Sequence, residues 1–139
     1  DCECQPTDLV FLVQKEVAER IARDNKESLL SLSVKVFGEP EYVTTVKRTH
    51  FTPPPKVDSA IIAIHDISHD KLKGVSREHF FDLLHIGLGS KRKQLLGLLS
   101  SRWPRTHLEN RFDELHISDT VRGEDLPLET WVTLAENLY

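Results

Sequence analysis

The first clear pattern is Leu9-Val10-Phe11-Leu12-Val13, five consecutive apolar residues behind the turn-prone Pro6-Thr7-Asp8. An unbroken apolar run this short predicts a strand covered on both faces, the kind found in parallel sheets. Gln14 to Asp24 follows at once and predicts a helix. Val17 and Ile21 share a face there, and Glu16 to Arg20 and Glu19 to Arg23 are favourable i,i+4 pairs. A strand running directly into a helix is a mark of α/β architecture. Ser28 to Phe37 fits two periods. Leu32, Val34 and Val36 alternate with Ser33 and Lys35 as in a strand, whereas Leu29, Leu32 and Val36 fit helical spacing. Gly38-Glu39-Pro40 ends the element either way. Tyr42 to Val46 and Ala60 to Ile64 are predicted strands, and the rigid connection between them implies an antiparallel pair at a sheet edge.

Beyond the polar stretch Ser68 to Gly74 no strand pattern recurs. Ser76 is a candidate N-cap for a helix whose apolar face is Phe80, Phe81, Leu84 and Leu88. Gln94 to Arg102 carries Leu95, Leu98 and Leu99 at helical spacing and stops at Pro104. Leu128, Trp131, Val132, Ala135 and Leu138 predict an amphipathic last helix, with Pro127 near its start. The expected organisation is an α/β part over 1–67, a linker over 68–74 and an all-helical part over 75–139. Roughly three strands are too few to cover a doubly buried one, so the α/β part is expected to belong to a larger domain.

Composition narrows the function without naming it. Of 139 residues, 39% are hydrophobic and 29% charged, which is ordinary for a globular protein. The formal net charge of −4 offers no general attraction to nucleic acid, so any such contact must come from local basic clusters. No apolar run is long enough for a transmembrane helix, and Asp1-Cys2-Glu3-Cys4 does not look like a signal or transit peptide. The two cysteines are too close for a disulfide framework, which makes a cytoplasmic setting the default. Cys2-x-Cys4 lacks a second ligand pair, and His65 and His69 have no nearby partners, so no metal is expected.

Phe51-Thr52-Pro53-Pro54-Pro55-Lys56-Val57-Asp58-Ser59 is the most informative segment. Three consecutive prolines fix three φ angles and remove three backbone donors, so the segment can join neither a helix nor a central strand. A stiff extended loop, near polyproline II, is expected. Such a loop can hold the Phe51 ring at a fixed place beside a sheet, as base stacking requires. Recognition by aromatic-grooved adaptor domains would need Pro-x-x-Pro, and Lys56 stands three places after Pro53.

The same segment, with Ala60-Ile61-Ile62 after it, closely resembles a signature of the rRNA adenine N6,N6-dimethyltransferases. Val13-Gln14-Lys15-Glu16-Val17-Ala18-Glu19-Arg20-Ile21 matches a second family segment, and Ser31-Leu32-Ser33-Val34 a third. Lys91-Arg92-Lys93-Gln94-Leu95 is similar to the family's basic Arg-Arg-Lys element, and Arg122-Gly123-Glu124-Asp125-Leu126 to its Arg-x-Glu-x-Leu element. The exact Pro-Pro-Pro-Lys-Val-Asp-Ser wording resembles the housekeeping branch more than the erythromycin-resistance methyltransferases.

The resemblance implies the C-terminal part of a class I, Rossmann-like methyltransferase domain followed by a small helical RNA-binding domain, with Ser28 to Phe37 a helix before a strand. It implies methyl transfer from S-adenosylmethionine to adjacent adenines of small-subunit rRNA, by a monomer, with no DNA or membrane partner. The family's glycine-rich cofactor turn and Asn-Leu-Pro-aromatic motif are not matched here. Gly87-Leu88-Gly89 would place Arg92 at the third glycine position. This chain alone is therefore expected to be inactive and to hold no cofactor. Phe51 takes the family's target-adenine stacking position, supported by Pro53 and Pro54; packing of Phe51 under the loop as core is the alternative. Lys91, Arg92 and Lys93, with Arg102 and Arg105 beyond, would contact RNA phosphates from helices, the plainer alternative being a solvated helix face. Lys47, Arg48 and Lys56 are secondary candidates. A non-catalytic RNA-binding or ribosome-assembly module, or a transcription factor derived from the same fold, is the rival reading.

Overall fold

The computed structural model describes residues 4–139. The chain divides into two compact units, one comprising the chain up to Asn25 and Leu30–His69, the other Lys26–Leu29 and Asp70–Tyr139. Cys2 lies outside the described residues, while Cys4 is a free, exposed thiol.

The first unit holds β1 (Leu9–Gln14), α1 (Lys15–Ala22), all but the first residue of α2 (Leu29–Lys35), β2 (Glu39–Val46) and β3 (Ser59–His65). Its sheet has three strands in the order β1-β3-β2, and both pairings are antiparallel. The expected pairing of the strands flanking the proline loop is present, in register from Glu39↔His65 to Val46↔Ser59. Val43 is skipped at a bulge and stands half exposed. One face of the sheet carries α1: Ala18 and Ile21 are buried against Ala60 and Ile62, with Val13, Val17, Val34 and Tyr42 around them. The Arg23 guanidinium caps this cluster, 3.6 Å above the centre of the Tyr42 ring.

β1 departs from its prediction. It is a strand, but it pairs antiparallel with β3 alone, and its apolar run is uncovered: Val10 is 67% exposed, Leu12 53% and Phe11 45%. The hydrophobic run encodes neighbours on both faces, and the described residues supply none for most of its length. The ambiguous segment resolves as helix α2. Leu32 and Val36, four apart, are both fully buried, whereas Val34 is only partly so. Helical spacing wins because one face has a core to meet. Gly38 admits the chain into β2, because a Cβ there would stand 2.5 Å from Ile64 Cγ2 and 2.9 Å from the His65 carbonyl.

The second unit is helical: α3 (Arg77–Gly87), α4 (Leu95–Leu99), α5 (Arg105–Glu114) and α6 (Leu128–Leu138). Ser76 caps α3 as expected, its Oγ accepting the His79 amide N–H at 3.1 Å. Phe80, Leu83, Leu84, Leu95, Leu99, Leu108, Phe112, Trp131 and Leu134 are wholly buried, each stabilising the fold by about 1.5–3 kcal/mol through burial. The polar stretch before α3 is more structured than its composition implies. It carries a 3-10 turn at Asp70–Leu72 that buries Leu72. Lys26–Leu29 joins this unit through the turn at Gly123–Asp125. The Glu27 amide donates to the Glu124 carbonyl at 2.8 Å, and Lys26 Nζ bonds Asp125 and lies 3.7 Å from Glu124 Oε1.

Candidate nucleic-acid interface

β2 leads into a 3-10 turn at Arg48–His50, and the proline loop returns the chain to β3. The prolines join neither helix nor strand, as expected, but the path is not uniform polyproline II: bends occur at Phe51–Pro53 and Lys56–Val57, and the Thr52–Pro53 peptide is cis. Asp58 closes the base of the loop. Its Oδ1 accepts the Arg48 amide N–H at 2.8 Å, and its backbone carbonyl accepts the Lys15 amide at 3.0 Å. One residue thus ties the loop's two ends to the start of α1. Pro53, Pro54 and Lys56 are exposed; Phe51, between the 3-10 turn and the first proline, is half buried and stands outside the buried core.

Beside the loop lies a cleft of about 310 Å³ lined by Lys15, Glu16, Arg48, Lys56, Val57 and Asp58. The structure brings Arg48 and Lys56 together there and adds Lys15, a residue of the family-like segment Val13 to Ile21 with no role predicted for it. Its position directly after an apolar strand, as the first residue of a helix, was the available signal. Lys47 is exposed just beyond β2 and does not line the cleft.

In the second unit Lys91, Arg92 and Lys93 occupy the turn between α3 and α4, not a helix as predicted. Gly87 and Gln94 bracket this turn, and the backbone closes it with a Lys93 N–H to Ser90 carbonyl bond of 3.3 Å. All three side chains are exposed and none forms an ion pair among the described residues. Arg102 and Arg105 differ. Arg102 Nη1 lies 3.2 Å from Asp82 Oδ2, and Arg105 Nε donates to Glu109 Oε1 at 2.8 Å. Asp82 also accepts from the Tyr139 hydroxyl, whose proton is held well above the ordinary phenol range by burial first and that bond second.

The Gly87-x-Gly89 pair lies at the end of α3. Gly87 is pressed against Trp131, where a Cβ would meet the indole at 2.5 Å, so this segment offers no cradle for a nucleotide cofactor. β1 runs into α1 without a glycine. Neither segment therefore supplies a glycine-rich turn for S-adenosylmethionine. Among the described residues no group of three or more His, Cys, Asp or Glu side chains could hold a metal ion, and no helix is long and apolar enough to cross a membrane.

A small sheet with one packed helix, continued by a helical unit, is the C-terminal part of a Rossmann-like methyltransferase. The same arrangement occurs in the 23S rRNA methyltransferase ErmE, with a TM-score of 0.71 at 25% identity over 95% of this chain and 55% of that one. It also occurs in a dimethyladenosine transferase from Plasmodium falciparum, with a TM-score of 0.77 at 23% identity over 92% and 55%. The chain belongs to the ribosomal RNA adenine dimethylase family, whose pattern matches residues 3–139. Similar proteins include the ribosomal RNA small subunit methyltransferases A of Dehalococcoides mccartyi, at 37% identity over 96% of this chain, and of Nostoc punctiforme, at 36% over 94%. The chain spans about half the length of these relatives, 47% and 46%.

Proposed function

We propose that this chain forms the target-base wall and part of the RNA-binding surface of an rRNA adenine N6,N6-dimethyltransferase. The intact enzyme would move methyl groups from S-adenosylmethionine to adjacent adenines of small-subunit rRNA, as a cytoplasmic monomer. The observation that carries this reading is Phe51: a half-buried ring outside the core, on a proline loop anchored at both ends by Asp58. Its packing favours a ring kept for a ligand over a ring kept for the core. An adenine drawn out of its strand needs such a stacking surface, worth roughly 1–3 kcal/mol per base. Pro53 and Pro54 keep the ring's backbone from relaxing.

On this reading the rest of the methyltransferase sheet covers β1, whose exposed Val10, Phe11 and Leu12 are apolar in anticipation of it. Cofactor and adenine-edge contacts come from that remainder, and this chain alone is inactive. Residues 1–67, apart from the Lys26–Leu29 segment that belongs to the helical unit, are the end of the catalytic domain, and 75–139 form the RNA-binding domain, where Lys91, Arg92 and Lys93 meet phosphates with side chains that no carboxylate occupies. In the intact protein, Phe51→Ala is expected to lower methyl transfer to rRNA roughly tenfold or more while leaving the melting temperature nearly unchanged. Loss of folding with unaltered activity per folded molecule would overturn the assignment. Calorimetry on the 139-residue chain should detect no S-adenosylmethionine binding; micromolar affinity would contradict it.

A further inference from the structure

We propose that the Lys15–Arg48–Lys56 cleft holds a backbone phosphate of the RNA strand that carries the target adenine, with Lys15 a direct contact. The proposal rests on the methyltransferase reading and extends it by joining Arg48 and Lys56 into one subsite with a residue that reading does not include, Lys15. Three cationic side chains line a cleft of about 310 Å³, and none of them forms an ion pair among the described residues. Two carboxylates share the lining, which remains net positive. The Asp58 carboxylate is already engaged by the Arg48 amide, so it acts as a positioning group: it holds the Arg48 backbone and, through its carbonyl, the Lys15 backbone. Lys15 is half buried, so its stem is braced and its ammonium is presented with less conformational freedom to lose on binding. Cations so placed, with no ion-pair partner among the described residues, match an oxyanion better than a neutral ligand. Arg48 and Lys56 stand on either side of Phe51 in the chain, so the cleft is lined by both arms of the loop that carries the ring.

The test uses the intact protein and a single-stranded RNA oligonucleotide, with binding read by fluorescence anisotropy over a salt series. Lys15→Gln is expected to weaken binding about fivefold and to reduce the slope of log Kd against log salt by about 0.7, one single-strand phosphate. Lys56→Gln should do the same, and Lys15→Arg should retain the parent slope. An unchanged slope and Kd in both glutamine variants, with parental melting temperatures, would overturn the proposal. If the slope falls as expected but the parent transfers no methyl group, the cleft stands and the methyltransferase reading fails. If methyl transfer is intact and the slope does not move, the cleft alone fails.

Discussion

Arg48 and Asp58, ten residues apart, are joined by a 2.8 Å bond from the Arg48 amide to Asp58 Oδ1 across the base of the proline loop. The bond converts a long connection into a closed ring whose rigid half is proline and whose other half is a 3-10 turn. Asp58→Ala removes the acceptor and is expected to cost about 1–2 kcal/mol of stability, read by chemical denaturation. Asp58→Asn keeps an acceptor and should cost less than half of that. Equal losses would mean that the charge, not the hydrogen bond, holds the loop.

Two glycines of the helical unit should respond in opposite directions. A Cβ on Gly123 would stand 2.5 Å from the Gly87 carbonyl oxygen, so Gly123→Ala is expected to destabilise by about 1–3 kcal/mol. Gly97 lies inside α4 with nothing within 4 Å of its notional Cβ. Gly97→Ala should therefore stabilise, by about 0.5–1 kcal/mol. Urea denaturation of both variants checks the pair.

His65 clasps the end of the sheet, its Nδ1 2.9 Å from Asp8 Oδ1 and its Nε2 2.7 Å from Glu41 Oε2. The Glu41 bond first, and the Asp8 bond second, hold the imidazole above its ordinary value of 6.5. The His65 bond first, and the Thr7 bond second, hold Asp8 below its ordinary 3.8. A raised base stabilises the fold fully below about pH 6.5 and loses that effect as pH rises through its folded value. The lowered acid contributes above 3.8 and fails as pH falls through its own folded value. The clasp is exposed, so its effect is modest and weakens with salt. Thermal melts of the parent and His65→Gln should differ most at about pH 5–6 and converge in alkaline buffer. A difference that is constant across that range would exclude the ionic clasp.

The uncovered β1 edge makes a solution prediction. Free amides and carbonyls beside Val10, Phe11 and Leu12 form a template for another strand. The 139-residue chain in isolation is expected to self-associate, and Val10→Lys to reduce this with little change in melting temperature. Sedimentation velocity over a concentration series decides it.

How much of this was legible depended on how far each residue's signal had to travel. α1, α6 and the β2–β3 pairing follow from periods and breakers within a few residues, and the Ser76 cap from a single side chain. α5 has no comparable signal: Leu108 and Phe112 are its only buried residues, and its remaining positions are mostly charged or polar. The basic run at Lys91 to Lys93 looks helical beside Leu95, yet the chain turns there before α4 begins. Lys15 was hidden for a different reason, since its place beside Arg48 and Lys56 is made by Asp58, 43 residues away in sequence. Such long-range closure leaves no local period to detect.

Lys26–Leu29 carries a practical consequence for anyone dividing the protein. The helical unit is not one contiguous stretch of sequence, because its turn at Glu124 and Asp125 is completed by a short segment from between α1 and α2. A clone beginning at Asp70 would therefore start life with an open seam. The missing partners of the Glu124 carbonyl and the Asp125 carboxylate could be restored only by grafting the segment back, not by extending the clone a few residues upstream.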